Sequence, residues 1–408
     1  MQLVQELGTR IETRWAKHNF DERAFPEIAA DMTQEARLHE EIGADQVIRW
    51  FSTTSSVPPQ VGLDSGFGEP PLTLFAGRHM YIEALFWVDG TTSIHQHSFS
   101  GAFQVLVGKS IHSRYRFHPR HRVSSRMLIG DIQFERAELL RRGDCRTISS
   151  GPAFIHSLFH LDRPSVSLVV RTFNDPETPL QYSYLRPFIA VDAVRKAPHL
   201  VQQQRIIRYL TRVEHPDRLE ICTEMVRRAD MVESFHLLEA FLEENLDDRD
   251  ALSHLAGLAE RAHPTFTSVL EPVLAERRRE LDLFMHRQTV RAPDLRFFLA
   301  LLLNLPERTS IEEMVRAHQP ERAPVDVIAE WIQRLSQVPA DGDGPRSSPF
   351  ELGPGELTVL RYLLEAPSME VALARLCDTY DTDGIDGDLR RLCDALTGSP
   401  LLRPLFVH

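Results

Sequence analysis

Two histidines separated by one residue, His95 and His97, have the spacing that most clearly predicts a chemical role. Side chains alternate along an extended strand, so both imidazoles would lie on the same face. One strand can in this way supply two ligands to a metal ion. Neutral imidazoles bind Fe(II), Zn(II), Ni(II) and Cu(II), and a centre with open positions leaves room for a substrate or dioxygen.

A centre of this kind needs a third ligand from elsewhere in the chain, and His156 is the candidate. It follows a Gly-Pro turn, Gly151-Pro152, in a short segment rich in β-forming residues. A strand there would carry His156 across the β-structure to His95 and His97. The alternative interpretation is that all three are hydrogen-bonded strand histidines that hold no metal.

Three further polar residues are candidates for contact with a substrate. His160 lies four residues after His156 and would share its face on a strand, either beside the centre or as a satisfied core histidine. His112 and Arg114 alternate along another predicted strand. They line the pocket if that face points inward and belong to the surface if it points outward.

The middle of the chain has the composition of the strands that must position these residues. Many short segments rich in β-forming residues, separated by turn residues, favour a sandwich or barrel. Helical sequence is expected to resume after Pro187. The predicted strands cover residues 80–88, 103–107, 111–117, 127–134, 145–148, 154–161 and 166–173.

Helical patterns flank this β-rich region on both sides. Apolar residues recur every fourth position from Leu3 to Trp15, and a second helix is predicted over 33–50. From residue 190 to 336 the pattern is helical throughout. We therefore predict an N-terminal helical cap over 1–60, a β-barrel over 61–187, a helical domain over 188–337, a Gly/Pro/Ser-rich linker over 338–355 and a small helical domain over 356–408.

Composition limits the class of partner and the compartment. The 408 residues exceed one ordinary core, and 42% hydrophobic and 25% charged residues are typical of a globular protein. The net charge of -12 argues against nucleic acid or an anionic membrane as partner, because both attract basic surfaces. Neither a signal peptide nor a membrane span is predicted. Four scattered cysteines favour a reduced, cytoplasmic protein, and Cys145 is predicted to be a buried structural thiol.

The motifs around the histidines resemble those of the cupin superfamily. His95-Gln96-His97 followed by Gly101 is similar to the first cupin motif, and Gly151-Pro152 with His156 is similar to the second. The match is closer to the thiol dioxygenase branch, typified by cysteine dioxygenase. LFWVDGTTSIHQH is similar to the strand that leads into that branch's Ser-Ile-His-x-His, and RPSVSLVVRT to its closing strand. The resemblance covers about residues 77–175.

The resemblance, with the helical flanks, implies an α+β multidomain chain built on a cupin β-barrel, which is a double-stranded β-helix or RmlC-like jelly roll. It implies that His95, His97 and His156 hold Fe(II), with another divalent transition metal as the alternative. The implied activity is that of a mononuclear non-haem iron oxygenase that uses dioxygen and a small organic substrate such as a thiol. Dependence on 2-oxoglutarate is not expected, because His97 stands where that chemistry usually has a carboxylate ligand.

The chain departs from this branch at three places. Gly101 stands where other cupins have an acidic ligand and cysteine dioxygenases a crosslinking cysteine, so the resemblance implies neither a fourth ligand nor a crosslink. Ser167, Val169 and Arg171 stand where the branch has a Ser-His-Tyr relay. Near Leu72 the arginine that clamps a substrate carboxylate in cysteine dioxygenases is missing. Arg171 is the candidate to replace it, because a guanidinium binds a carboxylate through two hydrogen bonds.

Two other interpretations of the cupin are open at this level. The fold also hosts sensors, in which case the barrel would bind a metal or ligand and signal to the all-α C-terminal region, which would contact a protein partner. An inactive barrel kept as a scaffold is the other. Cupins often dimerise through the barrel, so a homodimer is expected by analogy.

Overall fold

The computed structural model describes residues 1–61, 67–88, 90, 93–175, 180–192, 197–337, 352–380 and 387–407. The chain divides into two compact units, Met1–Arg278 and Arg279–His408. Most of the predicted linker, residues 338–351, lies outside the described residues. Among the described helices, none is both long enough and apolar enough to cross a membrane.

Two antiparallel sheets form the centre of the first unit. One has the strand order β1-β2-β9-β4-β7, and the other closes on itself in the order β10-β11-β6-β5-β8-β3. The strands are β1 (Pro71–Ala76), β2 (Met80–Trp87), β3 (Ile94–His97), β4 (Gly101–Val107), β5 (Ser110–Arg122), β6 (Met127–Leu140), β7 (Cys145–Ile148), β8 (Gly151–His160), β9 (Ser165–Thr172), β10 (Tyr182–Leu185) and β11 (Ile189–Asp192).

The expectation that helix resumes after Pro187 is wrong. Strand β11 follows it and pairs with β6, and the next helix begins only at Pro198. An apolar run of four residues is too short to reveal a period of two, so the sequence pattern could not separate it from a helix start.

Alternation of side chains along the strands produces separate apolar cores. Leu85 and Val169 of the open sheet pack with Phe154 and Leu158 of the closed sheet, which defines a central core between the two sheets. The opposite face of the closed sheet forms another core around Tyr115, Ile155 and Tyr184. The site described below lies in the central core.

Helices cover the outer face of the open sheet. The helices are α1 (Gln2–Ala16), α2 (Phe25–Ala36), α3 (Leu38–Glu41) and α4 (Ala44–Thr53). Leu7, Ile11 and Trp15 are buried against this face as predicted, but Leu3 is exposed and Val4 takes its place, because a 3.6-residue period drifts from a spacing of four. The single helix predicted over 33–50 is interrupted, since Arg37 has a left-handed backbone with φ of 47°.

All-α structure follows the sheets, as expected. The remaining helices are α5 (Pro198–Arg212), α6 (Arg218–Arg228), α7 (Met231–Glu244), α8 (Arg249–Ala262), α9 (Leu270–Thr289), α10 (Pro293–Asn304), α11 (Arg308–His318), α12 (Pro324–Ser336), α13 (Pro354–Glu365), α14 (Met369–Tyr380) and α15 (Gly387–Thr397), with short 3₁₀ helices at Pro264–Phe266 and Arg403–Leu405. Pro198, Pro293 and Pro354 each occupy the first turn of their helix, where a missing N–H costs nothing.

Candidate metal centre

Strands β3 and β8 are neighbours in the closed sheet, and their pairing places His95 opposite His156. His97 lies two residues further along β3, on the same face as His95. Ring nitrogens of the three residues lie within 4.8 Å of one another, and each residue is at most 7% exposed. The three residues, named here the histidine cluster, are therefore brought together in the way that the strand alternation predicts.

Aromatic rings surround the histidine cluster. The ring centre of Phe99 is 4.4 Å from that of His97, and the ring centre of Phe154 is 4.6 Å from that of His156. Phe103, from the open sheet, lies 6.0 Å from His156. The cluster thus occupies the central core, in surroundings of low polarity.

Burial keeps the three imidazoles neutral. It lowers the pKa of His95 from 6.5 to about 4, and it lowers the pKa values of His97 and His156 well below 6.5, with further contributions from the neighbouring cations and histidines. A neutral imidazole has a lone pair for a metal ion, whereas a protonated one has none. At neutral pH the cluster is in the state that a metal requires.

A hydrogen bond also orients the ring of His95. The Nδ1 atom of His95 lies 2.7 Å from the carbonyl oxygen of Ser93, which can only accept, so Nδ1 bears the proton and Nε2 bears the lone pair. The Nε2 atoms of His97 and His156 are 2.8 Å apart. The Nδ1 atom of His97 is buried and has no hydrogen-bond partner among the described residues.

A chain of hydrogen bonds leads from His156 toward the surface. Its Nδ1 atom lies 3.1 Å from Nε2 of His112, and Nδ1 of His112 lies 2.9 Å from Oε1 of Glu138. Arg146 donates to both oxygens of Glu138, at 2.9 and 2.6 Å. His112 therefore faces inward, which the sequence left open. Glu138 and Arg146 were missed. Only the register of β5 on β6 places Glu138 beside His112, and Arg146 comes from β7 of the other sheet.

Arg171 lies on the inner face of β9, close to the histidine cluster. Its guanidinium carbon is 3.3 Å from the ring centre of Phe99, the ring that also contacts His97. Its Nη1 atom is 3.4 Å from Oε1 of Glu83, while its Nε atom is buried without a hydrogen-bond partner among the described residues. Glu83 was missed, although an acid inside the apolar run of β2 is the signal that could have found it.

Arg114 makes a similar contact with the second phenylalanine, and β5 places it opposite His156 on β8. Its guanidinium carbon lies 3.9 Å from the ring centre of Phe154, which contacts His156. It donates to the carbonyl of Ala153 at 3.1 Å, and its buried Nε has no hydrogen-bond partner in the described part of the chain. Each of the two arginines thus contacts a phenylalanine ring that in turn contacts one of the histidines.

His160 lies away from the histidine cluster. It is four residues from His156 along β8, roughly 13 Å in an extended strand. Its Nδ1 atom lies 3.1 Å from Oγ of Ser110, and its ring stacks on Trp87 at 4.5 Å. Burial lowers its pKa to about 3. The structure therefore brings His112, Arg114 and Arg171 to the surroundings of the cluster but places His160 elsewhere in the core.

The backbone is crowded at Gly101. A Cβ atom there would lie 2.1 Å from the carbonyl oxygen of Val170 on the neighbouring strand, far inside van der Waals contact. Glycine is therefore required by the close approach of β4 and β9, and no side chain can provide a ligand from this position.

The residues of the cluster fit a transition-metal ion. Nitrogen ligands bind such ions at about 2.0–2.1 Å, so ligands that share one ion lie roughly 3 Å apart. The 2.8 Å separation of the His97 and His156 nitrogens is of this size. Three neutral imidazoles, two with orienting hydrogen bonds, form a donor set suited to iron, zinc, nickel or copper.

No protein-family model and no curated protein matches this chain. Solved structures with local similarity include hydroquinone 1,2-dioxygenase from Sphingomonas sp. TTNP3 with 4-hydroxybenzoate bound, at 9% identity, a TM-score of 0.21 and coverage of 26% of this chain and 67% of that one. DMSP lyase DddQ from Ruegeria pomeroyi DSS-3 matches at 17% identity and a TM-score of 0.22, over 36% and 74%. Oxalate oxidase in complex with glycolate matches at 14% identity and a TM-score of 0.17, over 23% of this chain and 41% of its own length. The chemistry of the site rests on its own residues.

Proposed function

We propose that the protein is a mononuclear non-haem iron oxygenase of the thiol-dioxygenase-like cupin type, acting on a small organic molecule. The histidine cluster carries this proposal: three neutral imidazoles converge within 4.8 Å in the apolar core between two sheets. The His-x-His motif and the two-sheet arrangement support a double-stranded β-helix as the fold. The metal proposed is Fe(II), held by His95, His97 and His156.

The residues around the cluster favour an anionic group on the substrate. Arg171 and Arg114 each have a buried Nε without a hydrogen-bond partner among the described residues, and a carboxylate would accept from these donors. Phe99 and Phe154 each contact one of the arginines and one of the histidines, and these rings would help exclude water from the centre. A ferrous ion bound there would supply the redox chemistry with dioxygen, while these side chains orient the substrate and keep the pocket dry.

Metal content and oxygen uptake test the proposal together. Full-length protein is loaded anaerobically with Fe(II), its iron is measured, and oxygen consumption is followed with a panel of thiols and small carboxylic acids. We expect about one iron per chain and uptake that depends on one class of substrate. His97→Ala should raise the metal dissociation constant about a hundredfold, because one ligand of a zinc-type site contributes about 3 kcal/mol.

His121→Ala is the matched control, since His121 lies exposed on β5. Metal content at the wild-type level in His97→Ala would refute the shared site. Stoichiometric iron without oxygen uptake across the panel would refute the oxygenase and favour a metal-binding sensor.

A further inference from the structure

We propose that His112 and Glu138 are positioning residues that fix the tautomer of His156 and thereby set the affinity of the histidine cluster for its metal. This inference rests on the proposed metal site but goes beyond it, because neither residue would touch the metal or the substrate. It assigns His112 a role different from the substrate contact that the sequence suggested.

The direction of each hydrogen bond carries the argument. A carboxylate can only accept, so the 2.9 Å contact with Glu138 requires the proton of His112 on Nδ1. The Nε2 atom of His112 then bears a lone pair and must accept from Nδ1 of His156, 3.1 Å away. The Nε2 atom of His156 is left with its lone pair, facing His97 at 2.8 Å.

Glu138 is held in the state that this chain requires. Its two bonds from Arg146 align the carboxylate, and its pKa is lowered to about 2, first by the hydrogen bond with His112 and also by Arg146. The contact is a direct cross-strand pair, because the register of β5 on β6 places His112 opposite Glu138. Three adjacent strands, β6, β5 and β8, thus provide the acid, the intermediate histidine and the ligand.

The three histidines differ in what supports them. His95 donates to a neutral carbonyl, and His97 Nδ1 has no hydrogen-bond partner among the described residues. Among the described residues, only the hydrogen bonds from His156 lead to an ionised carboxylate, Glu138, which Arg146 also contacts. A carboxylate behind an imidazole ligand raises its basicity and fixes its orientation, and loss of such a partner typically weakens metal binding 10–100-fold.

Two substitutions of Glu138 separate its charge from its hydrogen bond. Glu138→Met removes the acceptor, whereas Glu138→Gln keeps an acceptor oxygen without the charge. Glu135→Met is the matched control, because Glu135 lies on the same strand and pairs with Arg116 at 2.5 Å. Zn(II) affinity of the full chain is measured by competition with a chromophoric chelator. The protonated nitrogen of His156 is identified in the metal-free protein by NMR after ¹⁵N-histidine labelling.

We expect the Zn(II) dissociation constant to rise about tenfold or more in Glu138→Met and by a smaller factor in Glu138→Gln, with no change in Glu135→Met. The His156 proton should be on Nδ1 in the wild type and in Glu138→Gln, and distributed over both nitrogens in Glu138→Met. Wild-type affinity and an unchanged Nδ1 proton in Glu138→Met would overturn the inference and leave the metal site standing. A wild-type protein that binds no Zn(II) and no Fe(II) would overturn both.

Discussion

His160 should make the first unit sensitive to acid. Burial lowers its folded pKa to about 3, against 6.5 for an ordinary histidine. Below pH 6.5 the unfolded chain therefore binds a proton that the folded chain does not, so stability is complete above pH 6.5 and falls as the pH is lowered toward 3. Each pH unit in this window costs about 1.4 kcal/mol. Between pH 7.5 and 5.0, His160 alone should remove about 2 kcal/mol from the free energy of unfolding.

The substitution His160→Gln removes this titration and keeps a polar side chain of similar length. It also loses the ring stacked on Trp87, but that loss is the same at both pH values and cancels in the comparison. Hydrogen exchange of peptides from β8, corrected for the pH dependence of the intrinsic rates, gives the opening free energy at pH 7.5 and 5.0. The variant should lose about 2 kcal/mol less than the wild type between them.

His121→Gln serves as the control, because this histidine is exposed on β5. It should follow the wild type at both pH values. An equal pH dependence in His160→Gln and the wild type would refute the reasoning, since it would mean that the folded protein accommodates the proton at His160.

Three further outcomes are expected. Gly101→Ala should destabilise the first unit by about 1–3 kcal/mol or more and so lower its melting temperature, because its Cβ would meet the Val170 carbonyl. Gly257→Ala, whose Cβ would meet only the end of the Arg261 side chain at 3.3 Å, should not, and equal melting temperatures of the two variants in calorimetry would contradict this. Glu83→Gln should tighten the binding of a small carboxylate to the Zn(II)-loaded protein, because Glu83 neutralises Arg171, and Arg171→Gln should weaken it. Calorimetry measures both affinities, and no change in either variant would show that Arg171 does not bind the substrate. Cys145 should resist iodoacetamide at pH 8, because burial raises the pKa of its thiol to about 12, whereas half-buried Cys377 should react first. Mass spectrometry of the labelled peptides gives the order of reaction, and early labelling of Cys145 would contradict its burial.

The histidine cluster could be predicted because each of its residues is indicated by the residues next to it in the sequence. His95 and His97 share a face by alternation alone, and a Gly-Pro turn with a β-rich segment indicates His156. Strands such as β2 and β7 are bounded by turn residues, so their limits were predicted within about one residue. Local sequence therefore identifies the three histidines of the cluster.

His112, Arg114 and Arg171 were candidates from the sequence, but the acids that pair with His112 and Arg171 could not be predicted, because these contacts depend on pairing between distant segments. Glu138 is 26 residues from His112, and only the β5–β6 register brings them together. Glu83 and Arg171 are 88 residues apart in the chain and meet because β2 lies beside β9. A sequence shows which residues are charged, but not which charge is buried beside which.

The close approach of backbone at Gly101 also limits how this site can change over evolutionary time. A single substitution to an acid, which would add a fourth ligand at that position, collides with the Val170 carbonyl before it can reach any metal. A descendant or an engineered variant with four ligands must first move β4 away from β9, and that change disturbs the strand that also carries Arg171. Position 101 can therefore contribute a side chain to the site only after the backbone of β4 and β9 has changed.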